Sequence, residues 1–356
     1  MEFRIELATA ADDAAIRRLL RENPVPGAIT LSFEREPDYF LGCGPMGRFV
    51  QVLVARHVPT GEVAGISCRA TRPMYVNGWP AEVGYLGELR VDPRFRGRLL
   101  VARGVQFLRE LHADGRAEAY LATITEGNRE ALGILVEKPR RHFPSMRPVD
   151  RLHTLALLVR RSAAVECESA SLPEVLAFLN RVGRDRQFFP VYSEADFAFP
   201  GFRMKDVFVV RQAGQIVGCM ALWDQSSFKQ SVVRGYSGML GWGRGMYNFG
   251  ARLAGFQPLP APGQALRNAY GTFICVERND PAVFRQLLAG VYARAGERGF
   301  GYLTLGLFES DPLLAEARRY PHIPYYSKLY TMSWEAGGDF HERLDDRIPY
   351  LDIAAM

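Results

Sequence analysis

The chain has 356 residues, 48% of them hydrophobic and 23% charged, with a formal net charge of +5. That length exceeds one ordinary core and sets two domains as the default, and the composition is globular rather than disordered or fibrous. No apolar run is long enough to span a bilayer and the start "MEFRIELATAADD" lacks a signal-peptide core, so the cytoplasm is the expected location.

The first half alternates strands and helices. "FRIELA" reads as a short strand, and "TAADDAAIRRLLREN" as a helix with Thr9 as N-cap and Ile16, Leu19 and Leu20 at helical spacing. "RFVQVLVARH" and "GEVAGISCRATRPMYV" form a hairpin around "PTGE", and "AEVGYLGELRV" is a further strand. "LLVARGVQFLRELHADG" is a helix closed by Gly115; then come a strand "AEAYLATIT", a short helix "NREALGILVEK" and a closing strand "LHTLALLVRR".

The order then restarts. The helix "LPEVLAFLNRVGRDRQ", the hairpin "VFVVRQAGQIVGCMALWD", the strand "AYGTFICVE" and the helix "PAVFRQLLAGVYARAGERG" precede a strand "GYLTLGLFE", a short helix "DPLLAEARRY" and a strand "YYSKLYTMSW". Two passes through one series of elements predict a duplicated fold, with the junction near residues 161–171. Residues 236–268, rich in Gly, Pro and large apolar side chains, read as an irregular insertion, either a lid or a surface excursion.

Five scattered cysteines (Cys43, Cys68, Cys167, Cys219, Cys275) with no CxxC pair predict reduced thiols and no structural zinc site. The basic residues are almost all arginine; the lysines are Lys138, Lys205, Lys229 and Lys328. The arginines are dispersed, with no basic arm or zinc-finger spacing, so nucleic acid is not an expected partner.

One stretch stands apart. In "VDPRFRGRLLVARG", residues 91–104, a strand ends and a helix begins, with Arg96, Gly97 and Arg98 on the turn and Arg94 and Arg103 flanking it. The first N–H groups of a helix lack internal partners and carry partial positive charge, so such a turn suits phosphate. A solvated helix start with arginines set by codon bias is the alternative. The stretch resembles the acyl-CoA-binding motif of the GCN5-related N-acetyltransferases, the GNAT superfamily: Val91, Pro93, Arg96 and Gly97 match it, and Asn128 and Ala131 match the Asn-x-x-Ala start of a later family helix.

The resemblance implies an α/β protein (an α+β mixed sheet) of two tandem GNAT-like domains, 1–162 and 163–356, each a mixed, mostly antiparallel sheet flanked by helices. It places Leu89, Val91, Arg96, Gly97, Arg98, Leu99, Leu100, Val101 and Asn128 around acetyl-CoA or another acyl-CoA as co-substrate. Leu99 and Val101 stand where the family carries later loop glycines, and Leu135 stands at the family's usual acid position. The equivalent turn of the second half, "CVERNDPAVFRQLL", has Glu277 and Asp280 and no glycine, which implies that only the first half binds the nucleotide.

Acyl transfer to an amine requires a base or water relay, an oxyanion donor and an acid for the leaving thiolate. Glu88 is the first candidate base, its pKa expected to rise by burial, with pairing to Arg90 or another arginine as the alternative. Tyr85 is the second, able to position a water. The N–H of Val91 or a neighbour would hold the thioester oxygen, while Tyr120 and the cluster "YPHIPYYSKLY" are candidate acids. No metal is expected. The leading expectation is an acyl-CoA-dependent N-acyltransferase acting on a small-molecule amine, in a chain that could form a homodimer. A non-catalytic acyl-CoA sensor and an enzyme taking its donor from acyl carrier protein are the alternatives.

Overall fold

The computed structural model describes residues 2–97, 99–137, 143–160, 168–334 and 340–356. Arg98, Cys167 and the expected boundary at 162/163 lie outside them.

The first half runs β1 (Phe3–Leu7), α1 (Asp13–Glu22), β2 (Ile29–Glu34), α2 (Tyr39–Cys43), β3 (Phe49–His57), β4 (Val63–Val76), β5 (Trp79–Val91), α3 (Leu100–His112), β6 (Ala119–Thr125), α4 (Arg129–Leu132) and β7 (Ser145–Leu158). The second runs α5 (Leu172–Val182), β8 (Val207–Gln212), β9 (Gln215–Trp223), β10 (Gln230–Tyr236), α6 (Gly238–Leu253), β11 (Asn268–Val276), α7 (Pro281–Glu297), β12 (Tyr302–Phe308), α8 (Leu314–Ala317) and β13 (His322–Ser333). Hydrophobic periodicity found most of these. β2, α2 and β10 were not expected, and residues 236–268 are irregular only in part: 238–253 form the helix α6, and the chain from 254 to 267 has no helix or strand.

Each half contributes a mixed, mostly antiparallel sheet, and the two are fused. Eleven strands lie in the order β1-β3-β4-β5-β6-β13-β7-β12-β11-β9-β8. The closing strands have exchanged places: β13 of the second half pairs with β6, and β7 of the first pairs with β12. Separating the halves would therefore expose sheet edges on both sides, which costs main-chain hydrogen bonds as well as apolar burial. The cores interpenetrate accordingly. Leu155, Leu157 and Val159 of β7 and the residue after it pack with α5 and α7, while Phe308, Leu329 and Ile353 pack with α1 and β4. A separate two-stranded sheet again takes one strand from each half, β2 against β10.

The duplication is also geometric. In each half a strand–helix–strand crossover joins parallel neighbours, β5-α3-β6 and β11-α7-β12. Each leading strand carries a bulge against its antiparallel partner, with Glu88 at φ 57° in β5 and Phe273 at φ 53° in β11.

Candidate active site

The bulge in β5 makes the site. Cys68 faces Gly87 and Ile66 faces Arg90, so Ser67 alone opposes Glu88 and Leu89. An extra residue bends the bulged strand and breaks its ladder. β5 pairs with β6 only from Val83 to Leu86, after which β5 follows β4 and β6 follows β13. The wedge between the diverging strands opens into a cavity of about 700 Å³, roofed by β2 and by residues 25–28 before it. One face of α3 (Leu100, Val101, Gly104, Val105, Leu108) forms one wall, and Tyr85, Glu88, Leu89, Val91 and Asn128 line the same space.

At the mouth, the N-cap residue Leu99 gives the first turn of α3 no side-chain cap, and Gly97 turns the chain at φ 74°. Leu99 is left-handed, φ 62°, the conformation that glycine would hold without strain. Its side chain is 53% exposed and is not part of the cavity wall, so it does not plug the mouth. Arg96 also lies outside the wall, with Nε 3.4 Å from the carbonyl of Val91. Arg94 is held by Asp92 at 2.7 Å and Arg103 donates to the carbonyl of Phe3 at 3.0 Å, so both are occupied within the fold. Asn128 accepts from the N–H of Ala131 at 3.1 Å and thus caps α4 while lining the cavity.

The equivalent places in the second half are filled. Asp280 caps α7 by accepting from the N–H groups of Ala282 and Val283, putting a carboxylate where an anion would bind. The bulge residue Phe273 is buried and stacks on Phe197 at 4.5 Å, and its N–H donates to Asp352 at 3.3 Å.

The expectation for the pKa of Glu88 is corrected. Burial is the largest influence and opposes its charge, but the guanidinium of Arg35, with Nη2 2.6 Å from Oε1, together with Arg90 and Lys229 outweighs it and holds the carboxyl down at about 2. A carboxylate so stabilised accepts protons poorly at neutral pH. Tyr85 is buried, its hydroxyl 2.9 Å from Oγ1 of Thr123, and burial pushes its pKa up, so it does not ionise near neutrality. Tyr120 points away from the cavity and accepts from Nε of Arg69 at 3.0 Å in a buried contact. Tyr325, from the aromatic cluster, does line the cavity, and its hydroxyl contacts that of Thr125.

Two cavity residues escaped sequence reasoning. Arg35 follows the unexpected strand β2, and its buried guanidinium also donates to the carbonyl of Gly42. Lys229, just before β10, reaches the main-chain oxygens of Ala354 and Met356 and lies 5.5 Å from the Tyr270 ring. Burial, reinforced by the charge of Arg35, pushes its pKa down to about 7. Its rarity in an arginine-rich chain was the only available signal.

No family model matches the chain, and no curated protein matches it by sequence. Solved structures do match. Saccharomyces cerevisiae N-myristoyltransferase with bound myristoyl-CoA superposes with a TM-score of 0.63 at 11% identity, over 98% of this chain and 84% of the other. A second structure of that enzyme gives 0.61 at 10% identity, over 97% and 87%. A GCN5-related glucosamine N-acetyltransferase region of a fungal multi-domain β-N-acetylglucosaminidase gives 0.60 at 15% identity, over 93% of this chain and 38% of that one. These likenesses show the fold: the chain is folded like these N-acyltransferase structures. The shared fold extends over nearly the whole chain, with the wedge beside β5 open and the equivalent place beside β11 packed with aromatic side chains.

Proposed function

We propose that the protein is an acyl-CoA-dependent N-acyltransferase whose donor lies along the β5–β6 wedge. One observation carries this reading: the uncapped start of α3 opens beside an apolar cavity, whereas the start of α7 carries its own acid. Diphosphate binds the free N–H groups of α3 with Gly97 and Arg96 at the turn, and Arg98 is the further cation expected there. Leu89, Val91, Leu100 and Val101 flank the chain beyond it. The volume and apolar lining favour an acyl chain longer than acetyl. The fold likeness to an enzyme solved with myristoyl-CoA supports the same donor class.

In the proposed reaction the acceptor amine attacks the thioester carbon while main-chain N–H groups at the bulge hold the developing oxyanion. Glu88 keeps Arg35 and the strand in place instead of serving as the base first expected. Neutral Lys229 takes the proton released by the amine, the carbon–sulfur bond breaks, and Tyr325 protonates the departing thiolate. The acceptor is a small amine in this reading.

Thermal unfolding with acetyl-, butyryl- and myristoyl-CoA tests the proposal. A thioester at a hundred times its Kd should add about 2.7 kcal/mol. Arg96→Glu should abolish that gain and Arg278→Glu should leave it intact. Stabilisation without release of thiol on adding amines would make the protein a sensor, and stabilisation by acyl carrier protein alone would change the donor. No stabilisation by any of these would overturn the assignment.

A further inference from the structure

α6 is built inside out. Its inner side is tied to the returning chain by polar groups: Arg244 donates to the carbonyl of Pro260 at 2.9 Å, Asn248 bonds Leu259 through both its amide and its carbonyl, and Ala251 is buried. Its outer side carries Met239, Trp242, Met246, Phe249 and Leu253, spaced by three and four residues and thus on a single stripe. These side chains are 91%, 97%, 79%, 65% and 76% exposed. A soluble helix normally turns such a stripe inward, where each large side chain is worth roughly 1.5–3 kcal/mol. From Met239 to Leu253, fourteen steps of about 1.5 Å present some 21 Å of it to the outside.

The helix also contains Gly238, Gly241, Gly243, Gly245 and Gly250. A glycine costs about 1 kcal/mol relative to alanine in a helix interior. Nothing packs within 4 Å of a side chain added at Gly243, Gly245 or Gly250, so close packing inside this chain does not explain them. Such a helix draws its stability from whatever covers its apolar side.

The charge around it indicates what that is. From Gln225 to Val276 the chain has no Asp or Glu, but has Lys229, Arg234, Arg244, Arg252 and Arg267. Arg252 and Arg267 are exposed, and so is Arg160, whose guanidinium lies 4.3 Å from the ring of Phe256 just after the helix. Indole, phenyl and thioether groups in line, flanked by arginines and free of acid, match an anionic lipid interface. The helix is also joined to the cavity rim: Ser237 donates through N–H to the carbonyl of Ala28 and through its hydroxyl to that of Gly27, and both residues line the cavity.

We propose that the outer face of α6 seats the protein on an anionic membrane surface, lying in the headgroup region with the cavity rim beside it. No helix among the described residues is long and apolar enough to cross a membrane, and α6 is no exception. The stripe does not fold over the cavity, which sets aside the idea of α6 as a cover for an acyl chain.

Flotation of the full chain with lipid vesicles, in the absence of any acyl-CoA, tests this independently of catalysis. Vesicles with one part phosphatidylglycerol to two of phosphatidylcholine should carry the protein up, with at least tenfold less carried by phosphatidylcholine alone. Trp242→Glu with Phe249→Glu should abolish flotation without moving the unfolding temperature, since both side chains are exposed. Arg252→Glu should weaken it several-fold. The proposal is overturned if neither vesicle carries the protein, or if the double variant floats as well as the parent. It is equally overturned if the parent is a dimer that the double variant converts to monomer while neither floats, because a second copy would then cover the stripe.

Discussion

The carboxylate of Glu88 and the guanidinium of Arg35 lie 2.6 Å apart inside the cavity, joining the bulge of β5 to the chain just after β2. Both side chains are largely withdrawn from water, at 16% and 3% exposure. Removing one partner strands the other charge, so Glu88→Gln and Arg35→Met should each cost about 3 kcal/mol of unfolding free energy. The double variant should cost clearly less than their sum. Because the folded pKa of Glu88 is depressed to about 2, its contribution is present above the ordinary value of 4.5 and fades as pH falls towards 2. Urea denaturation of the four proteins at pH 7, repeated between pH 5 and 2, checks both claims; additive losses would refute the pairing.

Lys229 should set the acid limb of the rate profile. With a folded pKa near 7 against 10.5 in ordinary surroundings, it is neutral in the folded state over a range where the unfolded chain still binds its proton. Stability should therefore rise with pH between about 7 and 10.5. The kcat should rise through pH 7 and level off above it. Lys229→Met should flatten the stability rise and remove the kinetic limb. A limb that persists in the variant would assign the base elsewhere.

Leu99 holds a backbone conformation that costs a side-chain-bearing residue about 1 kcal/mol. Leu99→Gly should relieve it for a net gain of about 0.5 kcal/mol after the extra entropy of glycine is counted. Leu99→Ala should gain nothing. Paired thermal melts decide between them. Tighter acyl-CoA binding by the glycine variant is expected, since the main chain at the mouth would then be less encumbered.

Asp280→Ala should cost about 1 kcal/mol through the lost cap on α7. Its affinity for acyl-CoA, measured by calorimetry, should equal that of the parent. A changed affinity would mean that the start of α7 also meets the donor.

Tyr325→Phe should lower kcat by about a hundredfold with little change in KM, as expected for loss of a proton donor. Tyr120→Phe should leave kcat alone and cost about 1 kcal/mol of stability, because it breaks the buried bond to Arg69. Steady-state kinetics beside melting curves separate the two tyrosines.

Much of this protein was legible from local pattern. The strand ending at Val91, the turn at Gly97 and the helix from Leu100 are decided by residues within a turn or two of one another. The repeated order of elements was enough to expect two copies of one fold. The cap at Asp280 was visible as acid at a helix start, and α6 could have been read from the spacing of Met239, Trp242, Met246, Phe249 and Leu253 had its glycines not masked it.

Tertiary structure decided what depends on distant partners. Arg35 and Glu88 are 53 residues apart, and their meeting lowers a carboxyl pKa that burial alone would raise. Tyr325 reaches the cavity because β13 is inserted beside β6, which brings its hydroxyl to Thr125, 200 residues away. The exchange of β7 and β13 pairs strands far apart in the sequence, which local pattern does not encode. Lys229 owes its lowered pKa to burial and to the charge of Arg35, 194 residues before it in the chain. Local sequence sets which element forms; burial and the approach of distant charges set what each side chain can do.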